Sequence, residues 1–213
     1  MNFADACMHP YPHGDSSVRR LAHEAAARGY DGIVCVGISP PPDTPVRVIP
    51  AAVVAGKTFK DISVQVRRES RSADLILACA GDAGLNRALL SYRGIHILKG
   101  VHAAPRRAFD HICARNAADS EIAVDISLQP LIGSRGAARQ KVLQCYADIL
   151  RLQRRYGFRL AISSDARSVL DLRHVRVIPH LCGLFGMEPA ETTAALGTVG
   201  RLLHPDMPVE VLE

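Results

Sequence analysis

A set of polar and charged side chains able to hold a metal or a phosphate stands at or near the ends of short apolar runs. Asp5, Cys7, His9 and His13 close or follow FADAC (3–7), Lys99 and His102 close or follow IHILKG (95–100), Gln129 and Arg135 follow IAVDISL (122–128), and Ser163, Ser164, Asp165 and Arg167 end FRLAIS (158–163). A hydrolytic metal centre needs three or more ligands and an open position. His9 and His13 are four residues apart, but Pro10 and Pro12 rule out a helical turn presenting both on one face. Asp165, with Asp125 and His102, is available to a site closed through a loop, whereas the run ends at 36–39 and 53–56 supply no ligand. The histidines are therefore read as loop and surface residues. Ser163 and Ser164 lack a GxSxG elbow. Ser164 and Asp165 are expected instead to bond the first amides of the segment beginning near Ala166.

Positive charge offers a second chemistry. The chain holds 22 Arg and 4 Lys, carries a net charge of +5 and has a pI near 9.0. A guanidinium bonds phosphate oxygens bidentately and stacks on bases; a GC-rich genome also enriches Arg, so the excess alone says little. Arg106, Arg107 and Arg115 lie on the segment after Pro105, and Arg135, Arg139 and Lys141 on the loop and first turn of a long helix. Arg151, Arg154, Arg155 and Arg159 cluster at its far end, where Arg151 and Arg155 belong to a solvated face. Cations at a helix N-terminus oppose the helix dipole unless an anion sits there, which makes Arg135, Arg139 and Lys141 the better candidates for phosphate contact.

The elements that must position these residues alternate. FADAC, DGIVCVG (31–37), VRVIPAAVVAG (46–56), ADLILACAG (73–81), IHILKG, IAVDISL and FRLAIS read as strands buried on both faces. Between them, Ser16 or Asp15 caps a helix that Gly29 ends, and helix-length segments lie near 61–71, 83–92, 105–118 and 134–156. In the last, Val142, Cys145, Ile149 and Leu152 form an apolar stripe opposite Lys141, Gln144, Asp148, Arg151 and Arg155. After Asp165 the chain turns mostly helical, with Pro189 at a helix start and Gly197 at its end. About seven β/α units imply a parallel sheet under helices, hence an α/β fold: a small TIM-like β/α barrel, single-domain over 1–213, with an open doubly wound sheet as the alternative. No GxGxxG or Walker A loop follows any strand.

Composition sets the remaining bounds. Hydrophobic residues at 48% and charged residues at 22% suit a soluble globular chain. There is neither a membrane-length apolar stretch nor a signal-peptide pattern, so no membrane partner and a cytoplasmic location are expected. Cys7, Cys35, Cys79, Cys113, Cys145 and Cys182 include no CxxC pair, which counts against structural zinc and a disulfide framework.

Three stretches resemble the ribonuclease P protein component 3 family, the archaeal relatives of the eukaryotic 30-kilodalton subunit. They are FDHICARNAADSEIAVDISLQPLI (109–132), SRGAARQKVLQCYADILRLQRRYG (134–157) and FRLAISSDARSVLDLR (158–173); Asp110, His111, Arg139, Lys141, Ser163, Ser164, Ala166 and Arg167 stand at the matching positions. The run covers about a third of the chain, and the N-terminal half is similar only in its strand–helix layout. The resemblance implies a barrel subunit, without chemistry of its own, that binds ribonuclease P RNA and pairs with protein component 2 and other ribonuclease P proteins. The particle removes the 5′ leader of precursor tRNA with Mg²⁺ held by the RNA, no cofactor being bound by the protein. RNA contact is expected at Arg106, Arg107, His111, Arg115, Arg135, Arg139, Lys141 and Arg167. The same barrel is shared with metal-dependent phosphoesterases of the polymerase-and-histidinol-phosphatase type, the rival reading; a small-molecule-binding barrel is a third. Where those enzymes carry His-x-His, Thr-Asp-His, Glu and Ser-Asp-Ala-His, this chain carries Cys7-Met8-His9, VGIS (36–39), VVAG (53–56) and Ser164-Asp165-Ala166-Arg167. Arg167 is thus expected to replace a metal ligand with a permanent cation.

Overall fold

The computed structural model describes residues 1–204; the last nine residues of the expected 1–213 domain lie outside the described region. Seven strands, β1 (Ala4–Met8), β2 (Gly32–Val36), β3 (Arg47–Val54), β4 (Leu75–Cys79), β5 (Ile97–Lys99), β6 (Ala123–Ser127) and β7 (Leu160–Ser163), pair in chain order. Every pair is parallel. Helices α1 (Val18–Ala27), α2 (Phe59–Glu69), α3 (Ala83–Leu89), α4 (His111–Asp119), α5 (Gln129–Gly133) and α6 (Gly136–Tyr156) fall between strands, and α7 (Ile178–Gly183), α8 (Pro189–Leu196) and α9 (Thr198–Leu203) follow β7. Sequential order excludes the doubly wound alternative, whose strand order reverses at a switch point.

The wall closes where β1 meets β7. Met8 and Ala166 form a parallel bridge, with the His9 amide donating to the Ala166 carbonyl at 2.8 Å. Below it both oxygens of the buried Asp5 carboxylate accept from the Ser164 amide at 3.1 Å. A side chain thus stands in for ladder bonds along this seam, and β1 shifts register between Asp5 and Met8.

Local chemistry explains most helix boundaries. Ser17, Thr58, Asp82 and Asp110 accept amide hydrogens at the starts of α1 to α4. The α1 cap is Ser17, not Ser16 or Asp15; Ser16 instead accepts from the Val169 amide and ties the first loop to the last strand's loop. The segment expected as a helix from 105 begins only at His111, because Asp110 caps it, so Arg106 and Arg107 sit on the preceding turn. The segment expected from 134 is a helix from Gly136, with the short α5 ahead of it. Its buried stripe is Val142, Tyr146, Ile149 and Leu150, while Cys145 and Leu152 are half-buried. Tyr146 can be buried because its hydroxyl donates to the Ser127 carbonyl at 2.9 Å.

Two apolar layers result. Ile33, Leu98, Ile126, Ile162 and Ile149 pack between sheet and helices, whereas Ala4, Ala51, Leu77, Ile97, Ala123 and Ala161 fill the barrel, with Val199 of α9 beneath. Side chains alternate along a strand, so the inward positions two residues beyond Ile97, Ala123 and Ala161 are Lys99, Asp125 and Ser163. The interior turns from alanine to polar groups as the strands reach their C-terminal ends, where barrel active sites are built. Among the described residues no helix is long and apolar enough to cross a membrane, and all six cysteines are free thiols.

Candidate functional site

At the mouth, a buried cation meets a half-buried anion. Lys99 Nζ at the end of β5 donates to Asp165 Oδ1 at 2.5 Å and to Cys7 Sγ at 3.2 Å. Asp165 sits just past β7 with φ 51, a left-handed turn that aspartate tolerates better than most residues. Its Oδ2 accepts from the Ser127 hydroxyl at 2.8 Å, and His9 Nε2 lies 3.2 Å from Oδ1. The ends of β5 and β6 and the first loop therefore converge on one carboxylate just past β7. Ser164, as expected, accepts from the Ala166 amide at 3.1 Å; Asp165, expected to do likewise, turns inward to Lys99.

The charges sort themselves by partner. Burial pushes the Asp125 carboxyl up to about 8 and the Asp5 carboxyl up to about 7, since neither faces a cation closely enough to offset desolvation. Burial works on Asp165 in the same sense, but the His9 contact, the Lys99 charge and the Ser127 hydroxyl together hold it below the ordinary carboxylate range. Burial disfavours the Lys99 ammonium, yet the anionic surroundings keep its pKa above the usual lysine value. Burial also raises the Cys7 thiol well above its usual range, so Asp165 is the anion that counters Lys99. Asp125 accepts from Ser163 at 3.0 Å through Oδ2, while its Oδ1 is buried without a partner.

Cys7, His9 and Asp165 each present one donor atom, all within 4.8 Å of one another. Such a sulfur, imidazole and carboxylate set suits a divalent transition metal. The ammonium of Lys99, however, already bonds two of the three donors. The residues present do not fit a resident metal while that side chain keeps its place.

Beside the mouth runs a cleft of about 1010 Å³ between the 101–110 connection and α6. Arg106, Arg107, His111 and Lys141 line it, bringing together four of the sequence candidates, with Asp148 and Arg151 of α6 also in its lining. Arg107 holds φ 65, strained for an arginine. Asp110 pairs with Arg87 and accepts the Ile112 and Cys113 amides; against burial, these partners hold its carboxyl at about 2. Arg115 is exposed one turn beyond His111 on α4. Arg135 is the N-cap residue of α6 without a side-chain bond, no acidic residue occupies that helix's first turn, and Arg139 is half-buried with a buried Nε lacking a partner.

Arg167 corrects the sequence expectation. It is exposed, and its Nη1 donates to the His13 carbonyl at 2.9 Å, outside the mouth cluster. The cation inside is Lys99. Nor does His13 join His9: it is exposed on the first loop, and the loop route that the prolines left open does not bring the two together. Sequence reasoning places Lys99 and Asp5 near the mouth without giving them a role, and offers Asp125 only as a candidate metal ligand. The available signal for Lys99 and Asp125 was a charged residue inside an otherwise apolar strand, at the parity of the inward-facing Ile97 and Ala123; Asp5 has the opposite parity to the inward-facing Ala4.

The fold has solved counterparts. One chain of an archaeal ribonuclease P, determined by cryo-electron microscopy with mature tRNA, superposes with a TM-score of 0.76 at 16% identity, covering 94% of this chain and 89% of that one. Histidinol phosphate phosphatase of Lactococcus lactis, crystallised with zinc, L-histidinol and phosphate, superposes with a TM-score of 0.58 at 14% identity over 87% and 94% of the two chains. Fold and mouth thus define a β/α barrel of the histidinol-phosphatase shape in which a lysine of the chain itself stands against Cys7 and Asp165. Residues 2–204 match the family model described as RNase P subunit p30, and the chain belongs to that family of ribonuclease P protein subunits. Ribonuclease P protein component 3 of Methanothermobacter thermautotrophicus is 31% identical over 85% of this chain and 80% of its own length. The protein of the same description from Methanosarcina barkeri is 28% identical over 99% and 96%.

Proposed function

We propose that this subunit binds the catalytic RNA of a cytoplasmic ribonuclease P and supports its active fold during removal of the 5′ leader of precursor tRNA, with catalysis in the RNA. The observation that carries this reading is the cleft in which Arg106, Arg107, His111 and Lys141 converge. Its cations would neutralise phosphates as RNA helices close on one another, which lowers the Mg²⁺ needed for an active fold. Contact would be with the backbone and shape of A-form RNA rather than with base edges. The uncapped start of α6 with Arg135, Arg139 and Lys141, and Arg115 and Arg167 on the outer surface, extend the basic footprint. Mg²⁺ belongs to the RNA in this account, and the protein pairs with protein component 2 and other ribonuclease P proteins. The description of the archaeal structural counterpart, a ribonuclease P with tRNA, supports the assignment. The phosphoesterase reading loses ground because the Lys99 ammonium stands where that chemistry would require an exchangeable ion.

Reconstitution of precursor-tRNA cleavage at limiting Mg²⁺, with and without this chain, tests the proposal. Addition of the chain is expected to lower the Mg²⁺ required, and a combined Arg107→Ala and Lys141→Ala variant to forfeit most of that gain. Turnover of phosphate esters by the protein without RNA, or cleavage indifferent to its presence, would overturn it.

A further inference from the structure

We propose that the Lys99 ammonium occupies the cation position of a latent transition-metal site formed by Cys7, His9 and Asp165, so that shortening this one side chain converts the barrel mouth into a zinc- or cobalt-binding centre. The inference rests on the mouth geometry and is independent of RNA binding.

Ligand spacing carries the argument. Around a tetrahedral ion with bonds of about 2.3 Å to sulfur and about 2.0–2.2 Å to nitrogen and oxygen, neighbouring donors stand roughly 3.3–3.6 Å apart. Cys7 Sγ and His9 Nε2 are 3.6 Å apart, and His9 Nε2 and Asp165 Oδ1 3.2 Å. The remaining edge, from sulfur to carboxylate, is within 4.8 Å. The donors are also held from behind. Ser127 takes Asp165 Oδ2 and leaves Oδ1 facing the cluster, while the backbone bond from His9 to Ala166 fixes the histidine's place on the seam. Lys99 reaches the same sulfur and the same carboxylate oxygen from β5, across the barrel from β1. One positive charge already balances the site, and a second cation cannot enter without displacing it.

Removal of the ammonium leaves three donors and a fourth position open to water. The mixed sulfur, nitrogen and oxygen set favours zinc or cobalt over magnesium. Binding would form the sulfur–metal bond as the Cys7 thiol releases its proton to solvent. No oxidation or reduction is involved.

The test is a Co²⁺ titration of the full chain in wild-type and Lys99→Ala forms, followed by the thiolate-to-cobalt charge-transfer absorption that reports Cys7 directly. The expected result is one Co²⁺ per chain in the variant with that band present, bound at least about tenfold more tightly than by the wild type. The band should vanish in Lys99→Ala/Cys7→Ala, and affinity should fall in Lys99→Ala/Asp165→Asn. Lys99→Ser, whose hydroxyl can bond Asp165 while leaving most of the volume free, carries the same titration should the alanine variant fail to fold. Absence of Co²⁺ binding in the folded variant, binding without the sulfur band, or wild-type affinity within about tenfold of the variant's would overturn the proposal.

Discussion

At the scale of single residues, the Lys99–Asp165 pair is valuable chiefly for what its halves would do alone. Both side chains are largely withdrawn from solvent, at 10% and 19% exposure, so either left without its partner is an uncompensated charge in a low-dielectric setting. Lys99→Met and Asp165→Asn are each expected to lose about 3–5 kcal/mol of stability, and the double variant to lose clearly less than their sum. Urea unfolding of the four proteins measures this, and strict additivity would contradict the pairing. Asp125 supplies a second prediction, of opposite pH sense to Asp165. Its folded pKa of about 8 lies above the unfolded value near 4, so the folded state holds a proton that the unfolded chain gives up. The stability contributed is complete below about pH 4 and is lost as pH rises through about 8. Asp125→Asn should therefore flatten the decline of unfolding free energy across that interval, and a profile as steep as wild type would refute the assignment. Legibility at this scale was uneven. Asp165 was read as available at the mouth, but Arg167 was credited with the cation because position in a motif was taken for direction; the left-handed turn at Asp165 leaves Arg167 on the outer surface.

At the scale of elements, the cleft depends on where α4 starts. Had the helix run from 105, Arg106 and Arg107 would have been spaced along it; the Asp110 cap ends the preceding turn and lets both line the cleft opposite Lys141. Asp110 stands among the positions that match the family, but neither its capping role nor the consequence for the arginines was legible, because a cap competes with propensity over only a few residues. Arg107 takes a positive φ there, a conformation that costs a side-chain-bearing residue about 1 kcal/mol. Arg107→Gly is expected to fold at least as stably as wild type, by up to about 1 kcal/mol, while binding the RNA more weakly. Thermal unfolding and a binding titration together decide this, since a loss of both stability and affinity would make Arg107 a structural residue. Lys141→Ala should reduce the slope of log affinity against log salt by about one phosphate's share, near 0.7–0.9. An unchanged slope would remove Lys141 from the interface.

At the scale of the whole molecule, all seven strands and their parallel order were legible, because a parallel sheet covered by helices makes each strand a continuous apolar run. Continuity hid something as well: when both faces are buried, alternation no longer marks which side chains point inward, so the polar upper layer of the barrel was read only as residues near strand ends. The meeting of β1 with β7 has a further consequence. Hydrogen-bonded by one backbone bridge and one carboxylate, it is the weakest join in the wall, and local opening should begin there, with the His9 and Ser164 amide protons exchanging with deuterium ahead of those in β2 to β6. Lys99 reaches across the interior to Cys7 on one lip and Asp165 on the other, and so works as a clasp, slowing the breathing of a cylinder that its backbone leaves nearly unbuttoned.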